Sequence, residues 1–185
     1  MFIQANWWEF SEPSTSQASE KIAQFMMDHY GNLEGSTFFQ HKDIPTNFIS
    51  WRESLVQPNP LASKVGEIEA SFTAELKCDV GDAHKSSPWL YIVHTDIPDD
   101  IVDEYNHWND EEHLPRLVTV PGVNRARRFI CTGQSPRYLT AYSLDDPNAF
   151  ESPEGLIARK TPWTAKMRSL FFNTRRTMAK KYEIS

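Results

Sequence analysis

The sequence predicts an α+β fold: two tandem β-α-β-β-α-β units, residues 1–78 and 88–185, packing as an α+β barrel. Three observations predict it. The apolar residues switch between a period of 2 and a period of about 3.6 in the same order in both halves. A polar stretch, "DVGDAHKSSP", interrupts every pattern between them and reads as a linker over 79–87. Each four-stranded unit also leaves one sheet face without helices, and such a face must be buried against something. Burying the two faces on each other inside one chain is the economical solution. Pairing with a second copy, as a homodimer, is the alternative.

The elements follow in order. "MFIQANWWEF" is aromatic and β-branched and reads as a strand, ended by "SEPSTS". Ile22, Phe25, Met26 and Tyr30 then recur at helical spacing, with Gly31 where a C-terminal cap belongs. "STFFQHKD" and "NFISWRES" are two strands joined by the turn-forming "DIPT". Leu61, Val65, Ile68 and Phe72, at offsets of 4, 7 and 11, predict a second helix, and the alternation in "SFTAELKC" predicts the last strand of the first unit. In the second unit "WLYIVHTDI" is a strand. "PDDIVDEYNHWNDEEHL" is a helix that opens with Pro98 and two acids, which suit its positive end, and that Pro115 cuts off. "ARRFIC" and "RYLTAYSL" are strands. Ser152 caps a short helix with Pro153 in its first turn, "TPWTAKM" follows with a proline turn before Trp163, and "RSLFFNTRR" closes as a strand.

Composition bounds the function. A hydrophobic fraction of 39% and a charged fraction of 24% are those of a soluble globular protein. The net charge of -6, without a broad basic stripe, argues against nucleic acid as the partner. No apolar run approaches a membrane span, and the first residues lack a basic region followed by an apolar one. Cys78 and Cys131 read as two free, buried thiols in a reducing cytoplasm. With seven glycines and no Gly-rich phosphate loop, nucleotide binding is not expected. G-x-S-x-G, C-x-x-C and H-E-x-x-H are also missing from the sequence.

In the second half, "EYNHWNDEEHLPRLVTVPGVNRARRF", "PRYLTAYSLDDPNAFESPE" and "TPWTAKMR" occur in order at suitable spacing. Residues 87–180 thereby resemble the EthD-like branch of the dimeric α+β barrel superfamily, whose units are ferredoxin-like. The first half loosely resembles antibiotic-biosynthesis-monooxygenase-like units, through "NFISWRESL". The resemblance implies the fold. Its chemistry spans cofactor-free oxygenases, cyclases, isomerases and haem-dependent branches, and a fold does not choose among them. The fused second unit departs from the family pattern, because it can stand in for a partner subunit.

The candidate chemistry centres on the helix. On a straight helix His107 and His113, six residues apart, lie about 240° around the axis from each other, so they are poor joint metal ligands. Glu104, His107 and Glu111 are read as a solvated face, and no metal site is expected. His113, in the last turn, should be favoured as imidazolium by the negative helix end and is the candidate acid or base. The resemblance also places it at the family's histidine before the Leu-Pro pair. The bland reading is a histidine that only holds the helix end in register. Tyr105 and Trp108 share the neighbouring stripe and supply aromatic surface. His94, on the strand with Leu90 and Ile92, is a second pocket candidate. Arg127 and Arg128 point to opposite faces of their strand; the inward one needs a partner, for which Glu112 or a substrate carboxylate would serve, and a structural salt bridge is the bland reading. Arg128 or a Tyr hydroxyl is the candidate for steadying an enolate or phenolate oxygen. Tyr138 and Tyr142 share a strand face, and Trp163 would roof a cavity. The expected function is a small-molecule enzyme acting on a compact aromatic or apolar carbonyl compound by acid/base chemistry without a bound cofactor: an oxygenase, cyclase or isomerase. The alternatives are a non-catalytic ligand-binding or assembly module, and a haem protein with an axial histidine.

Overall fold

The structure, a computed structural model, describes residues 1–11, 15–58 and 68–183. It is of the mixed α+β class, an eight-stranded antiparallel barrel sheet in the hydrogen-bonded order β1-β3-β2-β8-β5-β7-β6-β4. The strands are β1 (Phe2–Glu9), β2 (Ser36–His41), β3 (Asn47–Ser54), β4 (Ile68–Gly81), β5 (Trp89–Asp96), β6 (Val123–Cys131), β7 (Tyr138–Leu144) and β8 (Phe172–Tyr182). The helices are α1 (Thr15–Tyr30), α2 (Val102–Trp108), α3 (Leu114–Leu117), α4 (Pro153–Ala158) and α5 (Pro162–Ser169). Among the described residues no helix is long and apolar enough to cross a membrane. The chain divides into two compact units, Met1–Glu75 with Ala179–Ser185, and Leu76–Met178. Both divisions fall inside strands, β4 and β8.

In the first unit β1 pairs antiparallel with β3 and with β4, and β2 pairs with β3 and with the end of β8. The helical stripe read from the sequence buries against this sheet. Ala18, Ile22 and Met26 of α1 are almost inaccessible and pack with Trp8, Phe48 and Ile68. Gly31, at φ 72°, ends the helix by donating its N–H to the Met27 carbonyl at 2.9 Å. This is the left-handed cap that glycine adopts without strain. Most of the expected second helix, 59–67, lies outside the described residues. Its last two apolar positions, Ile68 and Phe72, belong to β4. That strand carries on through Asp79–Gly81, three residues expected to open a linker, because Cys78 and Val80 still alternate onto the apolar cluster of the second unit.

In the second unit β7 pairs antiparallel with both β5 and β6. Two expectations are corrected there. The segment 162–169 is a helix, α5, and not a proline turn. Thr161 caps it, its hydroxyl accepting from the Thr164 N–H at 2.9 Å, and Pro162 takes the first turn, where the lack of an N–H costs nothing. The closing strand therefore starts at Phe172 rather than at 168. Pro115 also does not end its helix. The chain turns through a short 3₁₀ segment (Asp99–Ile101), α2, a π turn (Asn109–His113) and α3 without a break, and only then reaches "VPGV". A proline ring would strike the carbonyl four residues back in a regular α-helix. The wider turn just before it, in which the Leu114 N–H reaches the Asn109 carbonyl, lets the helix pass through.

Ser152 caps α4 as expected, accepting from the Gly155 N–H at 3.0 Å. A Cβ at Gly155 would sit 2.5 Å from the Ala149 carbonyl oxygen and 2.8 Å from the Phe150 backbone. Replacing Gly155 by Ala should therefore cost about 1–3 kcal/mol by overpacking. A lowered urea midpoint with unchanged slope would show it.

Candidate functional site

The second unit holds a pocket between the helical stretch 102–117 and the sheet face of β5 and β7. Strand alternation decides who faces it. Tyr91, Val93 and Thr95 of β5 and Thr140 and Tyr142 of β7 point in. Tyr105, Trp108, Asn109, His113 and Leu117 come down from the helical stretch, Phe150 and Arg159 from either side of α4, and Arg168, Phe171 and Arg176 complete the wall. About 60 Å³ of it is open to water.

The π turn builds the centre. In an α-helix, residues five apart point about 140° from each other. Here Trp108 and His113, five apart, stack with ring centroids 4.1 Å apart and planes 25° from parallel. The turn is braced on three sides. Trp108 donates its indole N–H to Thr164 Oγ1 at 3.3 Å, and Asn109, buried, donates its amide to the Tyr105 carbonyl at 2.9 Å. Arg128 reaches across from β6, donating to Asn106 Oδ1 at 2.9 Å and to both Asp110 oxygens at 3.0 and 3.2 Å. Cys78 of β4 lies beside this ion pair; burial first, and then the Asp110 charge, push its thiol up to about 11. Both cysteines are free.

Burial and the nearby Arg168 and Arg159 cations together push the His113 imidazole down to about 3. It is therefore neutral at physiological pH, against the expectation of an imidazolium favoured by a helix end. The helix does not end at His113, so no negative terminus faces it, and its neighbours are guanidinium groups. Nε2 lies 3.4 Å from the Tyr142 hydroxyl, and the buried Nδ1 has no hydrogen-bond partner among the described residues. The Tyr142 phenol is held well above its ordinary value by burial and by Tyr105 and Tyr91. Tyr105 is pushed up to about 12 by burial, with Asn109 and Thr140 beside its hydroxyl. The floor of the pocket is thus a set of protonated phenols around a neutral imidazole.

Of the residues singled out in the sequence, the fold brings Tyr105, Trp108, His113 and Tyr142 together at this pocket. Four others lie elsewhere. His94 sits on the opposite face of β5 from Tyr91, Val93 and Thr95; it is buried beside Cys131 Sγ at 3.4 Å, and burial lowers it to about 4. Arg128 is spent on Asp110 and Asn106, while Glu112, its expected partner, accepts from Thr161 at 2.6 Å. Tyr138 packs edge-on against Tyr105 in the adjoining core. Trp163 donates to Glu104 on the outer side. Glu104 itself is held by Lys166 at 2.6 Å, His107 is exposed, and among the described residues no group of three acids, histidines or cysteines could hold a metal. The sequence reading missed Thr95, Thr140, Asn109 and the three arginines. Alternation with Tyr91 and Tyr142 was the available signal for the threonines. None pointed to the arginines, which come from three separate elements.

No described protein family matches the sequence, and no curated protein does. Solved structures do. An anthrone oxidase-like protein superposes with a TM-score of 0.61 at 15% identity, over 98% of this chain and 91% of that one. A haem-degrading enzyme from Listeria monocytogenes gives 0.62 at 8% identity, over 97% and 99%. A ferredoxin fold protein related to antibiotic biosynthesis monooxygenases, from the same species, gives 0.60 at 11%, over 98% and 95%. At such identities the likeness shows the fold: this chain has a ferredoxin-like α+β barrel fold.

Among the described residues His113 is the one histidine lining the pocket. Trp108 covers its ring face, and its Nε2 is turned to Tyr142.

The two buried histidines also set a pH dependence of stability. Both have folded values below the ordinary 6.5, so between that value and about 4 the unfolded chain binds more protons. Their contribution is full above pH 6.5 and is lost as pH falls. His41, lowered by burial, acts in the same sense. The urea midpoint should fall between about pH 7.5 and about pH 5, and the fall should shrink in the His94→Asn, His113→Asn double variant.

Proposed function

We propose that the second unit is a small-molecule catalyst which binds a compact aromatic carbonyl compound between sheet and helix and stabilises its enolate or phenolate oxygen. One observation carries this: a neutral imidazole, His113, paired through Nε2 with a protonated Tyr142, its buried Nδ1 unpartnered among the described residues, in an aromatic pocket. With the Tyr142 hydroxyl donating to Nε2, the imidazole proton sits on Nδ1 and is offered to a substrate oxygen, while the proton leaving carbon passes to solvent. A neutral imidazole donor of this kind polarises a carbonyl without carrying a charge into the site. Fixed donors aimed at developing negative charge supply most of the rate enhancement in many enzymes. The acid/base role expected of His113 becomes that of a hydrogen-bonding electrophile. Arg128 becomes a positioning residue for the π turn. The EthD-like resemblance of residues 87–180 and the anthrone oxidase-like fold neighbour support a reaction that begins by enolising an aromatic ketone or ionising a phenol; oxygenation, cyclisation and isomerisation all start there. On this reading no step is routed through haem, and adding haem to the purified protein should produce no saturable Soret shift.

The test is deuterium exchange at the acidic C–H of 1-indanone in D₂O, followed by proton NMR. The protein should accelerate exchange, and His113→Gln and Tyr142→Phe should each reduce the acceleration by about 100-fold. The acceleration over the protein-free rate at each pH should stay level from about pH 5 to about pH 8, because the imidazole is neutral throughout. No acceleration, or an acid limb near pH 6.5 that disappears in His113→Gln, would refute the assignment. A second reading, in which His113 is architectural, draws on its stack against Trp108. It predicts a lowered Tm in both variants with exchange unaffected.

A further inference from the structure

The chain is acidic, at -6, yet the rim of its pocket is cationic. Arg168, from the last turn of α5, and Arg176, from β8, both line the pocket and are exposed. Neither is in an ion pair among the described residues, whereas Arg159 is occupied by Gly155, Phe150 and Glu151. Two guanidinium groups without a carboxylate partner among the described residues therefore face one opening, Arg176 with the Tyr91 hydroxyl beside it. Clustered like charges without a carboxylate repel, and an arriving anion relieves that repulsion. Their fields converge inside: Arg168 and Arg176 oppose the upward push of burial on Tyr91, and Arg168 adds to the downward push on His113. Beyond the rim the walls are aromatic, with Trp108, Phe150 and Phe171.

Resting on the reading above, we infer that the substrate of this site is a compact aromatic carboxylate. Its ring packs on Trp108, Phe150 and Phe171, its carbonyl or hydroxyl oxygen meets the Tyr142–His113 pair, and its carboxylate rests on Arg168 and Arg176. The guanidinium fork matches the two oxygens of a carboxylate. A planar carboxylate conjugated to a ring adds little thickness, which suits a space of about 60 Å³ better than a tetrahedral phosphate ester does.

The experiment compares 2-hydroxybenzoate with 2-hydroxybenzamide by titration calorimetry on the full chain. The two probes share ring, hydroxyl and carbonyl and differ in charge. The carboxylate should bind at least about tenfold tighter, and the preference should fall with added salt. It should vanish in Arg168→Gln, Arg176→Gln; both positions are exposed, so this variant should keep the circular dichroism of the parent. Equal affinities in the parent, a preference that survives in the double variant, or no binding of either probe would each overturn the inference. Val93→Trp, which narrows the pocket wall, separates occupancy of the pocket from attraction to the rim. Equal affinities both lost in Val93→Trp overturn only the charge assignment. Carboxylate binding unchanged in Val93→Trp would place it on surface arginines and overturn the inference. Should Val93→Trp fail to fold, the Trp108 indole N–H resonance takes its place, since a ligand in the pocket must shift it. Exchange of 1-indanone persisting without binding of either probe would leave the enolising site standing and remove only the carboxylate.

Discussion

One hydrogen bond organises the second unit: the Leu114 N–H reaches back five residues, to Asn109, instead of four. That turn admits Pro115 into a continuing helix and rotates everything after residue 109 relative to a straight α-helix. His113 thereby leaves the stripe on which regular geometry would put it and stacks on Trp108, over the pocket. A π turn has poorer geometry than the α-helix around it and needs support from outside. The support is tertiary: Arg128 on Asp110, Thr164 on Trp108 and the Glu112 carboxylate on Thr161 all anchor residues of the turn or its flank. The ion pair has one almost fully buried partner, Arg128 at 4% exposure, so removing Asp110 would strand a buried charge.

The electrostatics of the pocket follow from that placement. An imidazole at a free helix end would be stabilised as a cation. The same imidazole enclosed among aromatic rings and facing arginines is held neutral. The phenols around it are held protonated by the same burial. The pocket thus has strong hydrogen-bond donors inside and positive charge at its rim, an arrangement suited to negative charge that develops on a ligand rather than to charge carried by the protein.

Much of the fold was legible because strands and helices write their periods directly into the sequence. The alternation in "WLYIVHTDI" and "RYLTAYSL", the stripe Ile22-Phe25-Met26-Tyr30 and the cap at Ser152 all became the expected elements. Three readings fail for local reasons. Pro115 reads as a stop because proline usually is one. The capped segment at Thr161 does not read as a helix because its apolar residues are few. Asp79–Gly81 looks like linker by composition, although its alternation onto the apolar cluster continues.

At the site, the sequence by itself determined which residue types were available: an aromatic-rich helix bearing His113, a strand bearing Tyr138 and Tyr142, and no phosphate loop. It also determined that Arg127 and Arg128 must part to opposite faces, since successive strand residues always do. Only the tertiary structure decided which face of β5 meets the helices, and so put Tyr91, Val93 and Thr95 at the pocket and His94 away from it. Only it gave Arg128 a carboxylate from the helix and gathered Arg159, Arg168 and Arg176 from three elements to one rim. The physical reason is the same in each case. Period and propensity act within a few residues of chain, whereas the charge state and reach of a side chain are set by groups that are neighbours only after folding.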